Sequence, residues 1–503
     1  MKQHEENTTP FDLFIVGGGI NGTGIARDAA GRGLSVFLCE KGDLAQGTSS
    51  ASTKMIHGGL RYLEFYEFRL VREALHEREI LLNSAPNIIW PMEFVLPHSP
   101  GLRSIWLVRL GLFLYDHLAK RKRLGPSYKV NLRESRFGKP LKSYVKDGFV
   151  YSDCWVEDSR LVIETAIDAA SRGAEIHNYM RFVRAERVDH LWRIFIQDED
   201  DVERIIYARY IVNAAGPGVT RVAKRIKDAE ENIMPLRLVK GSHIVVPRLY
   251  DGEQAYILQH PDRRMVFVIP FEKDFTLIGT TDQAAHESEL DAPKISEGEI
   301  SYLLETVNMF FNKTVSKDDV QYTYSGIRPL FDDGSTDNSR VTRDYLLSMN
   351  DQCLSIYGGK ITTFRRLAEE AVNLIISDQR GSAKPWTTKA VLPGGDINGS
   401  IARYIQSVMA EYAYLDEDMA SRFVTLYGTR VHQLLADTYS LSDLGEEFGN
   451  GLYAREVDFL VEHEWARSAE DILFRRTRLG LVATQDVEEA LQRYLVSKGV
   501  VKA

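Results

Sequence analysis

A chain of 503 residues is too long for one hydrophobic core and is expected to divide into two or three domains. Its 44% hydrophobic and 26% charged residues are those of a globular protein, and a net charge of −9 leaves no basic excess to displace counterions, which excludes a general nucleic-acid binder. Three scattered cysteines, Cys39, Cys154 and Cys353, suit a reducing cytoplasm and supply neither a disulfide framework nor a metal cluster, while a polar start and the lack of ~18 consecutive apolar residues predict neither secretion nor a membrane span.

The chain opens on its most informative stretch. Leu13–Val16 reads as a buried strand and runs into Gly17-Gly18-Gly19-Ile20-Asn21-Gly22, a G-x-G-x-x-G turn. A helical segment follows, then a second strand, Ser35–Cys39, ending on Glu40. Gly17 permits the tight turn, Gly19 lets backbone approach a pyrophosphate, and Gly22 allows helix and strand to pack closely. The helix N-terminus offers unbonded N–H groups to phosphate, and an acid at the Glu40 position can accept from a ribose. Strand, turn, helix, strand and acid together predict a dinucleotide site.

Leu60–Leu82 reads as a long helix. Ile105–Leu118 is mostly apolar but carries Arg109, Asp116 and His117, and Lys120-Arg121-Lys122-Arg123 follows. Two readings stay open: an amphipathic helix lying on an anionic membrane, or a packed helix before a solvated basic loop. Ala166–Gly173 with Glu175–His177 repeats the helix-to-strand pattern, and Tyr210–Asn213 is a strand entering Ala214-Ala215-Gly216-Pro217. From Pro235 to Asp282 the pattern changes to short β-rich runs, His243–Pro247, Tyr256–Gln259, Met265–Pro270 and Phe275–Gly279, which predict an inserted antiparallel sheet. Ser301–Asn312 reads as a helix on that sheet. Cys353–Tyr357 returns to the first domain, and beyond Gly358-Gly359-Lys360 a helix places Ile361, Phe364, Leu367, Ala368, Ala371 and Leu374 on one face. A linker near Asp378–Lys389 leads to amphipathic helices such as Arg455–Glu464 and Ala469–Arg478.

The motifs resemble one family. Thr48–Lys54, His57-Gly58-Gly59-Leu60-Arg61-Tyr62, Lys240-Gly241-Ser242-His243, Gly279-Thr280-Thr281-Asp282, Tyr324–Leu330, Thr342–Tyr345 and Gly358–Thr363 are similar to blocks of the FAD-dependent, aerobic glycerol-3-phosphate dehydrogenases, within the wider glycine-oxidase-like flavoproteins. The resemblance runs from Gly17 to about Gly480 and leaves no room for the insertion of the related oxidases. One departure is Gly218, where a tryptophan usually follows Ala-Gly-Pro; it touches local packing, not chemistry.

The resemblance implies an α/β architecture: an FAD-binding Rossmann-like domain (1–90, 150–235, 325–380), an inserted antiparallel-sheet substrate or cap region (91–149, 236–324) and a C-terminal all-helical domain (390–503). It implies oxidation of sn-glycerol 3-phosphate to dihydroxyacetone phosphate, with FAD as cofactor and a membrane quinone as acceptor. The protein would be cytoplasmic and peripheral on the inner face of the cell membrane. A homodimer stays open. The alternatives are an oxygen-reducing oxidase, an amine-directed relative and a non-catalytic FAD-binding protein.

Residue roles follow. Arginine matches phosphate oxygens in bidentate geometry, so Arg61, Arg328 and Arg343, with Tyr62, are expected to hold the substrate. His57 is expected to be the base, with Arg328 orienting the hydroxyl. His243 is its rival, although a hydrogen-bonded histidine at a strand start is the preferred reading. Gly17, Gly19 and Gly22 would hold the pyrophosphate and Glu40 the ribose; Thr48, Ser49 and Ser50, with Lys54, form the flavin-contacting loop, and Ala215-Gly216 pass close by. Gly359 and Lys360 would stabilise negative charge on the flavin or contact substrate. Asp282 reads as a turn-capping structural acid, and Glu462, Glu464, Asp471 and Arg475–Arg478 as a charge-rich surface for helix pairing and domain contact.

Overall fold

The computed structural model describes residues 9–98, 104–227, 233–331, 344–377 and 383–501. Cys353–Tyr357, Glu203–Asn213, Phe11–Val16, Val36–Cys39 and Glu175–His177 lie side by side in that order, all parallel. Their near-continuous apolar runs are buried on both faces, as parallel strands require. Helices Ile20–Gly31, Asp158–Ser171 and Phe364–Ile376 cover one face, where Ile25, Ala29, Ile163, Leu367 and Ala371 pack with Leu13, Val36 and Leu354. Phe14, Phe37 and Trp192 fill the other face, the last from the antiparallel hairpin Arg181–Val188/Leu191–Gln197. The strand order reverses between Phe11–Val16 and Glu203–Asn213, so loops at their carboxyl ends diverge and leave a crevice.

The second sheet has ten strands, more than the four runs read from the sequence. Ile89–His98 pairs antiparallel with Asp147–Val156 along its whole length, and Leu236–Pro247 pairs with both Phe275–Gly279 and Tyr322–Phe331. Residues 150–156 and 325–331, expected in the nucleotide domain, therefore lie in strands of this sheet. Helix Glu297–Phe310 covers it, started by a reciprocal cap between Ser296 and Glu299.

Two helical expectations change form. Leu60–Phe65 is a 3-10 turn that ends where Tyr66 enters the left-handed region (φ 61°), and the α-helix begins only at Phe68 and runs to Ser84. The segment Asp471–Arg476 is a π-helical turn, with the Thr477 N–H donating to the Ile472 carbonyl at 2.9 Å. The C-terminal domain packs Phe423, Tyr427, Val457, Leu460 and Leu491 into its own core and is not wholly helical, since Glu447–Gly449 and Leu452–Tyr453 form a short ribbon.

Of the charge cluster read as a surface, Glu462 is exposed, while Asp471 and Arg475 are buried in the domain contact. Glu464 and Arg476 are buried. Glu464 pairs with Arg160 of the first domain and Arg430, while Asp43 binds Arg475 at 2.7 Å and Arg476 at 2.8 Å. The wide π-turn places both arginines on one carboxylate. Removing one partner of such a buried pair leaves an uncompensated charge, so the cluster fixes how the two domains dock. No helix among the described residues is long and apolar enough to cross a membrane.

Candidate active site

The first crevice wall is the glycine turn. Gly17 has φ +115°, and a Cβ there would lie 2.5 Å from the Ala214 carbonyl oxygen. A Cβ on Gly22 would lie 1.9 Å from the Gly17 carbonyl oxygen, and one on Gly19 would reach within 3.0 Å of Ser49 Oγ. The backbone cradle therefore exists only because side chains are missing from it. Ser49 Oγ accepts from the Ile20 N–H at 3.0 Å, bringing the predicted loop to the helix N-terminus. Glu40 directly follows the second strand and accepts from the N–H groups of Gly18 (2.7 Å) and Gly42 (3.1 Å). Burial pushes its carboxyl up in pKa and these two donors pull it back. Each oxygen keeps lone-pair capacity for a ribose hydroxyl.

The loop after the second strand is braced from both domains. Thr48 donates to the Ile327 carbonyl at 2.6 Å, and Ser50 donates weakly to the Gly47 carbonyl at 3.4 Å. The Lys54 ammonium donates to Asp158 at 2.7 Å and to the Ser50 carbonyl at 3.1 Å. Burial lowers the Lys54 pKa and Asp158 opposes it, so this lysine holds the loop in shape. Ala214 donates from its N–H to the Val16 carbonyl, which carries Ala215 and Gly216 (φ +54°) to the same edge. A Cβ on Gly218 would meet only Ala215 Cβ, at 3.8 Å, so the backbone there does not itself require glycine.

The opposite wall starts at Gly358 (φ +84°) and Gly359 (φ +102°). Asn21 Nδ2 donates to the Gly358 carbonyl at 3.3 Å, and its Oδ1 is buried without a partner. A Cβ on Gly359 would sit 2.7 Å from Asn21 Nδ2, so only glycine lets this turn approach the nucleotide turn. Lys360 follows, its ammonium 4.0 Å above the Tyr62 ring. Arg61, next to Tyr62, has Nε buried without a hydrogen-bond partner. The His57 backbone N–H donates to Thr362 Oγ1 at 3.3 Å. Burial lowers the His57 pKa; Asp153 opposes this, and the positive charges of Lys360 and Arg78 add to it. Its imidazole is therefore neutral near pH 7 and able to take a proton.

Arg328 stands on Tyr322–Phe331, where Pro329 passes Gly358. Its guanidinium donates to Asp282 at 2.5 Å and to Thr280 Oγ1 at 3.0 Å. Asp282, read from sequence as a turn cap, instead aims this arginine. The available signal was an acid at a strand end inside a matched block. His243 is buried, with Nε2 3.0 Å from Thr53 Oγ1 and its ring stacked 4.6 Å from Tyr324. Burial and the Arg328 charge push its pKa well down, so it is a neutral packed histidine. Arg343 lies outside the described residues.

Residues 12–363 match the FAD dependent oxidoreductase family, and residues 385–496 match the C-terminal domain of alpha-glycerophosphate oxidase. The chain is 50% identical to the glycerol-3-phosphate dehydrogenase of Pseudomonas aeruginosa, over 97% of this chain and 95% of that one. The chain belongs to the FAD-dependent glycerol-3-phosphate dehydrogenase family. It is also 48% identical to the D-erythritol 1-phosphate dehydrogenase of Brucella abortus, over 94% of this chain and 95% of the relative. Its fold matches the solved glycerol-3-phosphate dehydrogenase of Bacillus halodurans complexed with FAD, with a TM-score of 0.80 at 28% identity, covering 99% of this chain and 92% of that one. The family cofactor, FAD, fits the crevice. The Gly17–Gly22 cradle suits its pyrophosphate, Glu40 its ribose, and the orphaned Asn21 Oδ1 marks a polar atom at the cofactor edge.

Proposed function

We propose that this protein oxidises sn-glycerol 3-phosphate to dihydroxyacetone phosphate. FAD, when bound, accepts the hydride leaving carbon 2. The observation that carries this reading is the buried, unpartnered Nε of Arg61, an N–H donor on the same turn as Tyr62, whose ring lies under the Lys360 ammonium. A buried donor left unpaired costs about 1–3 kcal/mol, and a phosphate oxygen would satisfy it. Arg61, Tyr62 and Arg343 are assigned to the phosphate. Neutral His57 takes the hydroxyl proton, and Arg328, aimed by Asp282 and Thr280, orients the substrate oxygen. Gly359 and Lys360 are assigned to stabilising negative charge on the flavin. The test is anaerobic addition of glycerol 3-phosphate to purified holoenzyme. Loss of the flavin absorbance supports the reading, and a yellow protein that stays yellow refutes it.

The Brucella relative supports a second reading, a longer polyol phosphate as the preferred substrate. Flavin reduction with D-erythritol 1-phosphate faster than with glycerol 3-phosphate at equal concentration would establish it.

We assign the electrons to a membrane quinone and place the protein peripherally on the inner face of the membrane. Helix Ile105–His117 supports this reading. Trp106, Leu107, Leu110 and Phe113 are between 54% and 73% exposed, and Lys120, Lys122 and Arg123 are exposed beside them. An apolar face next to cationic groups suits the boundary of anionic lipid. The helix also packs inward through Leu112 and Tyr115, as the packed-helix reading requires.

A further inference from the structure

Helix Ile105–His117 turns a different face to the protein interior. There Tyr115, only 3% exposed, reaches beneath the segment that carries His57 and Arg61. Its hydroxyl accepts from the Gly58 N–H at 2.8 Å and donates to the Asp153 carboxylate, with 2.8 Å to each oxygen. Asp153 is 1% exposed and also receives the Arg78 guanidinium at 2.5 Å, while Arg78 bonds the Ser152 carbonyl at 3.0 Å. Three elements therefore meet on one backbone amide: Phe68–Ser84 through Arg78, Ile105–His117 through Tyr115, and Asp147–Val156 through Asp153.

The approach is close. A Cβ on Gly58 would lie 2.6 Å from the Tyr115 hydroxyl and 2.4 Å from Leu75 Cδ2. Gly58 is followed by Gly59 at φ +75°, from which the 3-10 turn Leu60–Phe65 departs with Arg61 and Tyr62. Without its anchor, Gly58 N–H keeps only a long contact to Asp153 at 3.4 Å. The two glycines that allow this geometry also make the backbone easy to displace. Arg78 enters this buried network through Nη1, while its Nε is buried without a partner, so the hold on Gly58 rests on the Tyr115 hydroxyl and the Asp153 carboxylate.

We propose that Tyr115 is a positioning residue for the family reaction. Its hydroxyl, held by Asp153 and Arg78, fixes the Gly58 amide and with it the placement of both His57 and Arg61. Tyr115 is assigned no contact with substrate or cofactor; its hydroxyl bonds Gly58 and Asp153. It acts through the turn, so its loss moves two functions that sit on either side of Gly58. This inference rests on the roles proposed above for His57 and Arg61.

The test is anaerobic stopped-flow reduction of the flavin in Tyr115→Phe holoenzyme, read as a rate constant at saturation and a dissociation constant for glycerol 3-phosphate. A displacement on the order of 1 Å costs up to roughly a hundredfold, so the rate falls and the dissociation constant rises, each by about tenfold. Tyr151→Phe removes a neighbouring phenol hydroxyl that does not bond the turn and leaves both constants unchanged. A Tyr115→Phe enzyme with lower FAD content or thermal stability, but with both constants of the surviving holoenzyme at wild-type values, would overturn the proposal. Hydrogen exchange of wild-type holoenzyme checks the anchor without any variant. The Gly58 amide is expected to exchange slowly, and exchange as fast as an exposed loop overturns the proposal. If glycerol 3-phosphate does not bleach wild-type flavin, the functional reading fails, while the Gly58 exchange result still judges the anchor.

Discussion

Replacing Asp282 by asparagine removes the charge that aims Arg328 while keeping the side-chain shape. The lost contact is the 2.5 Å bond from the guanidinium, whose side chain is 28% exposed against 15% for the carboxylate. A hydrogen bond to a charged group contributes about 1.5–3 kcal/mol, and partial solvent access places this one at the lower end, about 1.5–2 kcal/mol. At 1.36 kcal/mol per factor of ten, roughly a ten- to thirtyfold effect follows. The Thr280 hydroxyl still holds the other guanidinium nitrogen, which keeps Arg328 near the site but less firmly oriented. Because Arg328 is assigned to the reacting hydroxyl, the loss should fall on kcat. KM should stay level or drop, since an acid is removed from near a dianionic substrate. Single-turnover flavin reduction against substrate concentration separates the two constants. An Asp282→Asn enzyme with wild-type kcat, or one whose only defect is a raised KM, would refute the assignment of Arg328 to the hydroxyl.

Other outcomes follow from the same geometry. Gly22→Ala places a Cβ 1.9 Å from a backbone oxygen that cannot rotate away, so the purified protein should lose FAD; a fully flavinated variant would contradict the cradle. His57→Asn should slow flavin reduction by about a hundredfold or more, within the range of general-base catalysis, and the wild-type acid limb of kcat/KM should lie below pH 6.5 because burial depresses the His57 pKa. Glu164 is buried with its carboxyl pushed up to about 8. A raised folded pKa gives stability that is fully present below the unfolded value near 4.5 and lost as pH rises through 8, so Glu164→Gln should raise the melting temperature at pH 8.5 and change it little at pH 4. Equal melting temperatures at pH 8.5 would count against that burial cost. Replacing Lys120–Arg123 with glutamates should abolish binding to anionic liposomes, and undiminished binding would remove the proposed membrane face.

What could be read from the sequence was local. Leu13–Glu40 carries its strand, turn, helix and acid within one stretch, so period, glycine placement and the terminal acid all speak together. The second sheet was only partly legible, because Asp147–Val156 is buried on both faces and its partner Ile89–His98 lies far back in the chain. Asp282 was misread because the arginine that gives it a role is on another strand. The Arg475–Arg476 pair reads as a surface for helix pairing and domain contact, but its burial does not show in the sequence: Glu470 and Asp471 lie near Arg475, whereas Asp43, which binds both arginines, is in the first domain. Tyr115 was hidden for a related reason. Within an apolar helix one hydroxyl gives no sign that its partners are a glycine amide and a buried aspartate. Local conformation is written in neighbouring residues, whereas the aim of a catalytic side chain is set by tertiary pairing.

The most direct measurement is an anaerobic titration of the purified holoenzyme with glycerol 3-phosphate, without any electron acceptor, followed through the oxidised flavin band. The account predicts rapid and complete bleaching, with colour returning on addition of a quinone analogue. A flavin that remains oxidised at saturating glycerol 3-phosphate would contradict it.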